Sequence, residues 1–391
     1  MKYLLCLAIA AVLVGQPIRK ADRITDLQKK LDSGAVKLQY EPEQGYLKSV
    51  LQALGIPVSS QTLVFSKSSF QLHLIAPDRP RALYFNDDVY VGWTRGGSDI
   101  EVMTTEPKQP PTFYMLPQAR TAAPKFNRET DNCTVCHDFF QATVPLPRLL
   151  MLSVLPDPGG FSIGAASLVT NDQSPIQERW GGWYVSGKTG NQKHLGNLVV
   201  DMPASTKVDI RNYAARADSR SNTNITDLGT RFEKDAYLSP HSDVAALMVL
   251  GHQTHVHNMI IFAAASVGKN PVATIAEPLV RAMLFADAVP LTEPVTGTST
   301  FTGDFASRGP KDGMGRSLRE LDLKTRLLKY PLSYLIYNEA FDGMPDEVRT
   351  YVVRRIKEVL NGEDKSGQFA HLSETDRTNI LQILKETKPG F

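Results

Sequence analysis

Tyr84-Phe85-Asn86-Asp87-Asp88-Val89-Tyr90-Val91-Gly92-Trp93 decides how the front of this chain folds. Two runs of β-branched and aromatic residues flank a short polar break, and Asn-Asp at the break favours a tight turn. The pattern predicts a β-hairpin. Acidic residues in such a turn are most simply turn formers, so Asp87 and Asp88 are read as structural rather than as an acid/base pair or a metal site. The same texture continues on both sides. Gln61 to Phe65, Phe70 to Ile75, Ala82 to Phe85, Val89 to Trp93, Ile100 to Thr104 and Thr112 to Leu116 are short β-forming runs, punctuated by Pro77, Pro80 and Gly96-Gly97. Residues 60–117 are therefore expected to form a small antiparallel β-domain.

Upstream, Tyr46 to Leu54 and Ala21 to Ser33 read as helices. In the latter Ile24, Leu27 and Leu31 form one stripe and Gly34 closes it. Residues 16–59 are thus an N-terminal helical segment. Ahead of it, Met1-Lys2-Tyr3-Leu4-Leu5 opens an apolar run to Val14, followed by Gly15. A basic start, a short apolar core and a small residue predict a signal peptide over residues 1–15, cut at Gly15-Gln16, and export to the periplasm. The run is short for a membrane span, which needs ~20 apolar residues. Peripheral membrane association is expected only through an uncleaved N-terminus.

Downstream, the linker Pro117 to Lys125 leads to Cys133-Thr134-Val135-Cys136-His137. This is C-x-x-C-H. Two thiols three positions apart can each form a thioether with a haem vinyl group, and the following imidazole then ligates the iron. A zinc site would want a second Cys/His pair at short spacing, and none follows. A redox dithiol would open a helix after a strand, whereas Pro145 and Pro147 leave only a short helical turn, Asp138 to Thr143. The chain has three cysteines, and Cys6 falls in the export signal. One covalently attached haem c is the expected cofactor, with Cys133, Cys136 and His137 as its anchors and iron ligand.

Within the haem segment, taken as residues 118–235, Glu178-Arg179-Trp180-Gly181-Gly182-Trp183-Tyr184-Val185-Ser186-Gly187 holds two of the three tryptophans. Aromatic rings beside glycine can lie flat on a porphyrin, because glycine admits a close backbone approach. Arg179 can donate to a haem propionate. Arg179, Trp180 and Trp183 are therefore candidate pocket residues, against the alternative of a hairpin whose tryptophans fill an ordinary core. Ala214 to Asp227 reads as a loop.

From Pro240 the chain turns helical, and residues 236–391 are expected to be a helical domain. Ser242 or Asp243 caps a long helix to about Val267. On it Met248, His252, His255 and Met259 share one face, with His257 close by. Three of eight histidines in six residues is a concentration that suits an iron ligand, although such a stripe also occurs in ordinary cores. For the iron position opposite His137 the order of candidates is His252, then His257 and His255, then His194; Met151 and Met202 have no supporting context. Residues 290–315 read as a long loop. Helices are expected at Arg319 to Lys329, Ser333 to Phe341, Asp346 to Leu360 and Ser373 to Lys385, the last with Ser373 as N-cap and Asp376 three residues on.

The fold class expected from the sequence is α+β: a β-rich N-terminal half, a central haem c segment and a mostly α-helical C-terminal half. At 391 residues, two or three domains or one haem module inside a larger fold are expected. A net charge of +2 gives no basic face for nucleic acid.

Cys133 to His137 resembles the attachment site of c-type cytochromes. That resemblance implies thioether anchors at Cys133 and Cys136 and proximal ligation by His137. Tyr84 to Trp93, Glu178 to Gly187 and Gly315-Arg316-Ser317-Leu318-Arg319 resemble an uncharacterised family of exported mono-haem bacterial proteins, which implies the class and no activity. The chain departs from class I cytochromes in lacking their early aromatic-glycine helix before a methionine loop. It departs from di-haem peroxidases in having one C-x-x-C-H rather than two. A redox, electron-transferring cytochrome working with a partner protein or a small-molecule electron donor or acceptor is the preferred reading. The alternatives are a peroxidase-like haem oxidoreductase with an open iron position, and a haem-based sensor or binding module.

Overall fold

The computed structural model describes residues 22–106, 110–131, 133, 137, 148–218 and 220–391. The export signal at 1–15, Cys136 and the turn Asp138 to Thr143 lie outside the described residues. The fold is α+β, with an antiparallel sheet in the N-terminal half and a mostly helical C-terminal half.

Helices α1 (Arg23–Asp32) and α2 (Leu47–Leu54) come first. Asp22 caps α1 by accepting from Thr25 N–H, and Gly55 ends α2 at φ +65°, a left-handed position that glycine takes without strain. Six strands follow: β1 (Thr62–Val64), β2 (Arg81–Phe85), β3 (Val89–Trp93), β4 (Asp99–Thr104), β5 (Thr112–Pro117) and β6 (Asn127–Glu129). They pair antiparallel in chain order. The hairpin forms as the sequence predicts, with Phe85 opposite Tyr90, and Asn86 Oδ1 accepting from the N–H groups of Asp88 and Val89.

Every residue of β3 is buried, because the sheet is covered on both faces. Ala82, Tyr84, Val91, Trp93, Ile100 and Val102 face α1, α2 and the Phe232–Tyr237 stretch. Val64, Phe85 and Tyr90 point the other way, into a larger core shared with the C-terminal helices. That second face meets α4 (Val244–Ala265). Sixteen of its 22 residues are buried, so α4 is a central helix with little solvent face. Asp243 caps it, accepting from Ala245 and Ala246 N–H. Helix α4 packs on α5 (Val272–Met283), α5 on α8 (Asp346–Leu360), and α8 on α9 (Glu374–Thr387); Ser373 and Asp376 close α9 with a reciprocal capping box.

Between sheet and helices lie β7 (Leu152–Pro156) and β8 (Ser162–Val169), a separate antiparallel pair, and α3 (Ile210–Arg216), which together enclose a third small core. β9 (Gly187–Lys188) and β10 (Thr296–Gly297) form a two-stranded clip, and α6 (Phe301–Ser307) and α7 (Glu339–Asp342) are short. Packing runs across the segment limits drawn from the sequence at 59, 117 and 235. Tyr184 lies in the core beneath the sheet, and Phe65 N–H donates to Gly182 O.

Four expectations are corrected. Phe70 to Ile75 is a 3₁₀ turn at Leu72–Leu74 with Phe70 exposed, not a strand. Residues 319–329 are not helical: the Asp322 carboxylate accepts the N–H groups of Lys324, Thr325 and Arg326 and makes a turn instead. Ala214 to Asp227 begins inside α3, and the 290–315 loop contains β10 and α6. No described helix is long and apolar enough to cross a membrane.

Candidate functional site

A polar belt crosses the apolar helix α4 between residues 252 and 258. Each polar group there lies in a low-dielectric interior and needs a partner. The partners come from four separate stretches of chain, and this gives the belt its interest.

Gln253 faces the sheet. Its amide donates to Asn86 O and Tyr90 Oη, both at 2.7 Å, and its Oε1 accepts from Tyr334 Oη at 2.6 Å. His257 faces the same hairpin, with Nε2 2.9 Å from the Asp87 carbonyl oxygen. A carbonyl only accepts, so Nε2 carries the proton. Burial pushes the His257 pKa down to about 4, against a smaller upward pull from Asp87. Asp87 itself is held by a bidentate Arg319 at 2.8 and 3.0 Å, and Asp88 by Arg23 at 2.6 Å. The hairpin acids read as turn formers thus also dock the sheet on the C-terminal half, Asp87 through Arg319 and Asp88 by accepting from Asn338 Nδ2.

On the opposite side, one buried carboxylate serves two imidazoles. Asp172 Oδ2 is 2.8 Å from His252 Nδ1, and Asp172 Oδ1 is 2.8 Å from His255 Nδ1. Burial raises the Asp172 pKa, but the hydrogen bonds from His252 and His255 outweigh it and hold the carboxyl below its ordinary range. An ionised carboxylate only accepts, so both Nδ1 atoms carry protons. His252 is wholly buried and stacked on Phe285 at 4.2 Å, with its Nε2 2.9 Å from Ser333 Oγ. Ser333, His252 and Asp172 have the distances of a hydrolytic triad, yet Ser333 and His252 are both 0% exposed, so the hydroxyl meets no substrate. The set is a buried hydrogen-bonded chain in the core. His255 is 8% exposed, and its Nε2 has no hydrogen-bond partner among the described residues.

Asp172 had no signal in the sequence. It sits in the loop Asn171-Asp172-Gln173-Ser174-Pro175, and no spacing connects it to histidines eighty residues away. Arg179 positions it. Its guanidinium donates to Ser174 O at 2.8 Å and Asp172 O at 3.0 Å, and burial draws its pKa down to about 10, against the pull of the Asp172 charge. The expected propionate donor therefore spends these bonds on the loop that carries Asp172.

Trp180 and Trp183 are core residues. Trp183 Nε1–H donates to Leu152 O at 2.7 Å, and Trp180, at φ +66°, meets the edge of His194 at 5.3 Å. The glycines between them do admit a close backbone, but it is β7: a Cβ on Gly181 would run into Val154 O. His194 is buried, its Nδ1 accepts from Gly196 N–H at 3.1 Å, and burial pushes its pKa down to about 4. Of the methionines, Met202 packs with the third core, and Met248 and Met259 with the largest.

The haem-motif residues meet α4 through one run of chain. His137 Nδ1 is 2.6 Å from Arg148 O, and its ring packs on Phe113 of β5 at 4.8 Å. The carbonyl again fixes the tautomer, placing the proton on Nδ1 and the lone pair on Nε2. His137 N–H donates to Cys133 O at 3.1 Å, one helical turn that puts both side chains on one side. This donor set fits a c-type haem. Leu149, next in line, is clasped by Asn258: Leu149 N–H donates to Oδ1 at 2.9 Å and Leu149 O accepts from Nδ2 at 2.8 Å. Among the described residues no group of three or more His, Cys, Asp or Glu side chains is arranged to hold a bare metal ion. No protein-family model, curated protein or solved structure matches this chain.

Proposed function

We propose that this chain is an exported mono-haem c-type cytochrome of the periplasm with an electron-transfer role. The observation that carries the reading is Cys133-Thr134-Val135-Cys136-His137 together with the hydrogen bond from His137 Nδ1 to Arg148 O. Cys133 and Cys136 hold the group by thioethers, and His137 offers Nε2 to the iron with its ring orientation set by Arg148 O and Phe113. Bound haem supplies a one-electron iron couple. The surrounding chain contributes rigidity: Asn258 ties the stretch after the motif to a central helix, so the ligand does not shift when charge changes on the iron.

A haem-dependent oxidoreductase is the second reading. The carboxylate-backed imidazole of His255 favours it, because that arrangement also suits a general base.

The test is to produce the full chain with a periplasmic haem-attachment system and extract it with acid acetone. Haem is expected to remain on the polypeptide, and the double variant Cys133→Ala, Cys136→Ala is expected to lose it. Haem that washes off the unaltered protein, or that stays on the double variant, rejects covalent attachment.

A further inference from the structure

We propose that His255 supplies the second axial ligand of the haem through Nε2, with Asp172 behind it as the acceptor that fixes its tautomer and donor strength; this rests on the c-type haem reading above. The argument begins with what each rival imidazole already holds. His252 has Nδ1 on Asp172 and Nε2 on Ser333, inside a core with no exposed surface. His257 has turned to the sheet and donates from Nε2 to Asp87 O. His194 accepts at Nδ1 from Gly196 N–H, which leaves its proton on Nε2. His255 alone of the four combines burial above nine-tenths with an Nε2 lone pair that no described residue uses.

Place supports the same residue. The run from Arg148 to Met151 follows one face of α4. Arg148 O takes the His137 imidazole, Leu149 is clasped by Asn258, and the Met151 sulfur lies 3.8 Å from where a side chain would begin at Gly251. His255 is four residues after Gly251 and three before Asn258. Such neighbours share a helix face, with Cβ atoms about 5–6 Å apart. His255 is thus midway along the strip of helix on which the haem segment is strapped.

The carboxylate explains why this imidazole suits iron. A histidine whose Nδ1–H is given to a carboxylate is locked with Nε2 as donor and is more basic than one bonded to a carbonyl. His137 has the weaker acceptor, Arg148 O, and His255 the stronger, Asp172. An iron between two imidazoles, one backed by a carboxylate, favours the ferric state and takes up no further ligand.

The experiment uses the full haem-loaded chain and reads spectroscopy rather than activity. The ferric protein is expected to give a low-spin bis-imidazole paramagnetic resonance spectrum, and the ferrous protein to leave carbon monoxide unbound. His255→Ala is expected to keep its haem through acid-acetone extraction, become high-spin and bind carbon monoxide, and return to low spin with added imidazole. His252→Gln is expected to stay low-spin. Asp172→Asn is expected to keep both ligands and raise the reduction potential. An imidazole–thioether spectrum in the unaltered protein, pointing to Met151, overturns the proposal, and so does a high-spin unaltered protein or a His255→Ala variant with an unchanged spectrum. If His255→Ala does not accumulate, the spectrum of the unaltered protein decides. Loss of haem from the unaltered protein on extraction is a separate result, and it defeats the covalent-haem reading itself.

Discussion

Glu178–Gly187 and Gly251–Asn258 look alike in composition, both being glycine-containing stretches with aromatic or imidazole rings, and they do different work. In the first, the polar atoms are spent on protein partners, with Glu178 beside Arg211 and Ser186 bonded to Thr298. Arg179 donates to Ser174 and Asp172 carbonyls, and Trp183 to Leu152 O. In the second, the polar atoms reach four stretches of chain, and one of them, His255 Nε2, has no described partner. Residue type nominates both stretches as ligand sites, and the accounting of donors and acceptors separates them. The two are also joined, since Arg179 holds the loop that carries Asp172.

The sharpest way to break this contrast is at the glycines. A Cβ at Gly181 runs into Val154 O and comes within 2.9 Å of Ser153 Oγ, against backbone that β8 holds in place. Gly181→Ala is expected to destabilise the protein by on the order of 3 kcal/mol, read as a lower urea midpoint. Its folded fraction should keep the spectrum of the parent. A spectral change would return the Trp180–Trp183 stretch to the haem pocket.

A smaller effect compares the two regions through pH. Burial lowers the pKa of His194, whose ring packs on Trp180 of the first, and of His257 in the second to about 4. An unfolded histidine titrates near 6.5, so between those values the unfolded chain binds protons that the folded chain refuses. Stability should fall as pH drops from about 6.5 toward 4 and stop falling on this account below it. Each residue is expected to cost roughly 2 kcal/mol between pH 7 and pH 5. Asp172 adds loss in the same direction, but only as pH falls below the ordinary carboxylate range, because its folded pKa is depressed. His194→Gln and His257→Gln, unfolded in urea at both pH values, should each flatten the slope by a similar amount. An unchanged slope in either shows that its burial is not what the titration reports.

Legibility in the sequence followed how local the determining contacts are. The Asn86 hairpin, the Asp243 cap and the Ser373–Asp376 box are set by residues within four positions of each other, and all three form. β6 is Asn127-Arg128-Glu129, a polar edge strand recognised only by its pairing with β5. Helix α5 carries Pro278 in its interior, a residue that normally ends a helix, and is held by its packing between α4 and α8. The site divides in the same way. The haem motif is five adjacent residues. The Asp172–His255 contact depends on a loop, a strand pair and a helix meeting in space, and the pattern of histidines alone favours His252, which the fold places deeper in the core.

The mildest perturbation is Gly251→Ala. A Cβ at Gly251 would sit 3.5 Å from Asn171 Cα and 3.8 Å from both the Met151 sulfur and Thr170 O, which are ordinary contacts. Alanine is favoured over glycine within a helix by about 0.8–1.0 kcal/mol, so the variant should be as stable as the parent or more stable by less than ~1 kcal/mol. The comparison with Gly181 then tests a physical distinction: glycine at 181 is required by a backbone pressed against it, while glycine at 251 leaves room beside the helix for Met151 and the Asp172 loop. A urea midpoint lowered as far by Gly251→Ala as by Gly181→Ala would show that α4 and the Arg148–Met151 run are packed as tightly as the tryptophan stretch.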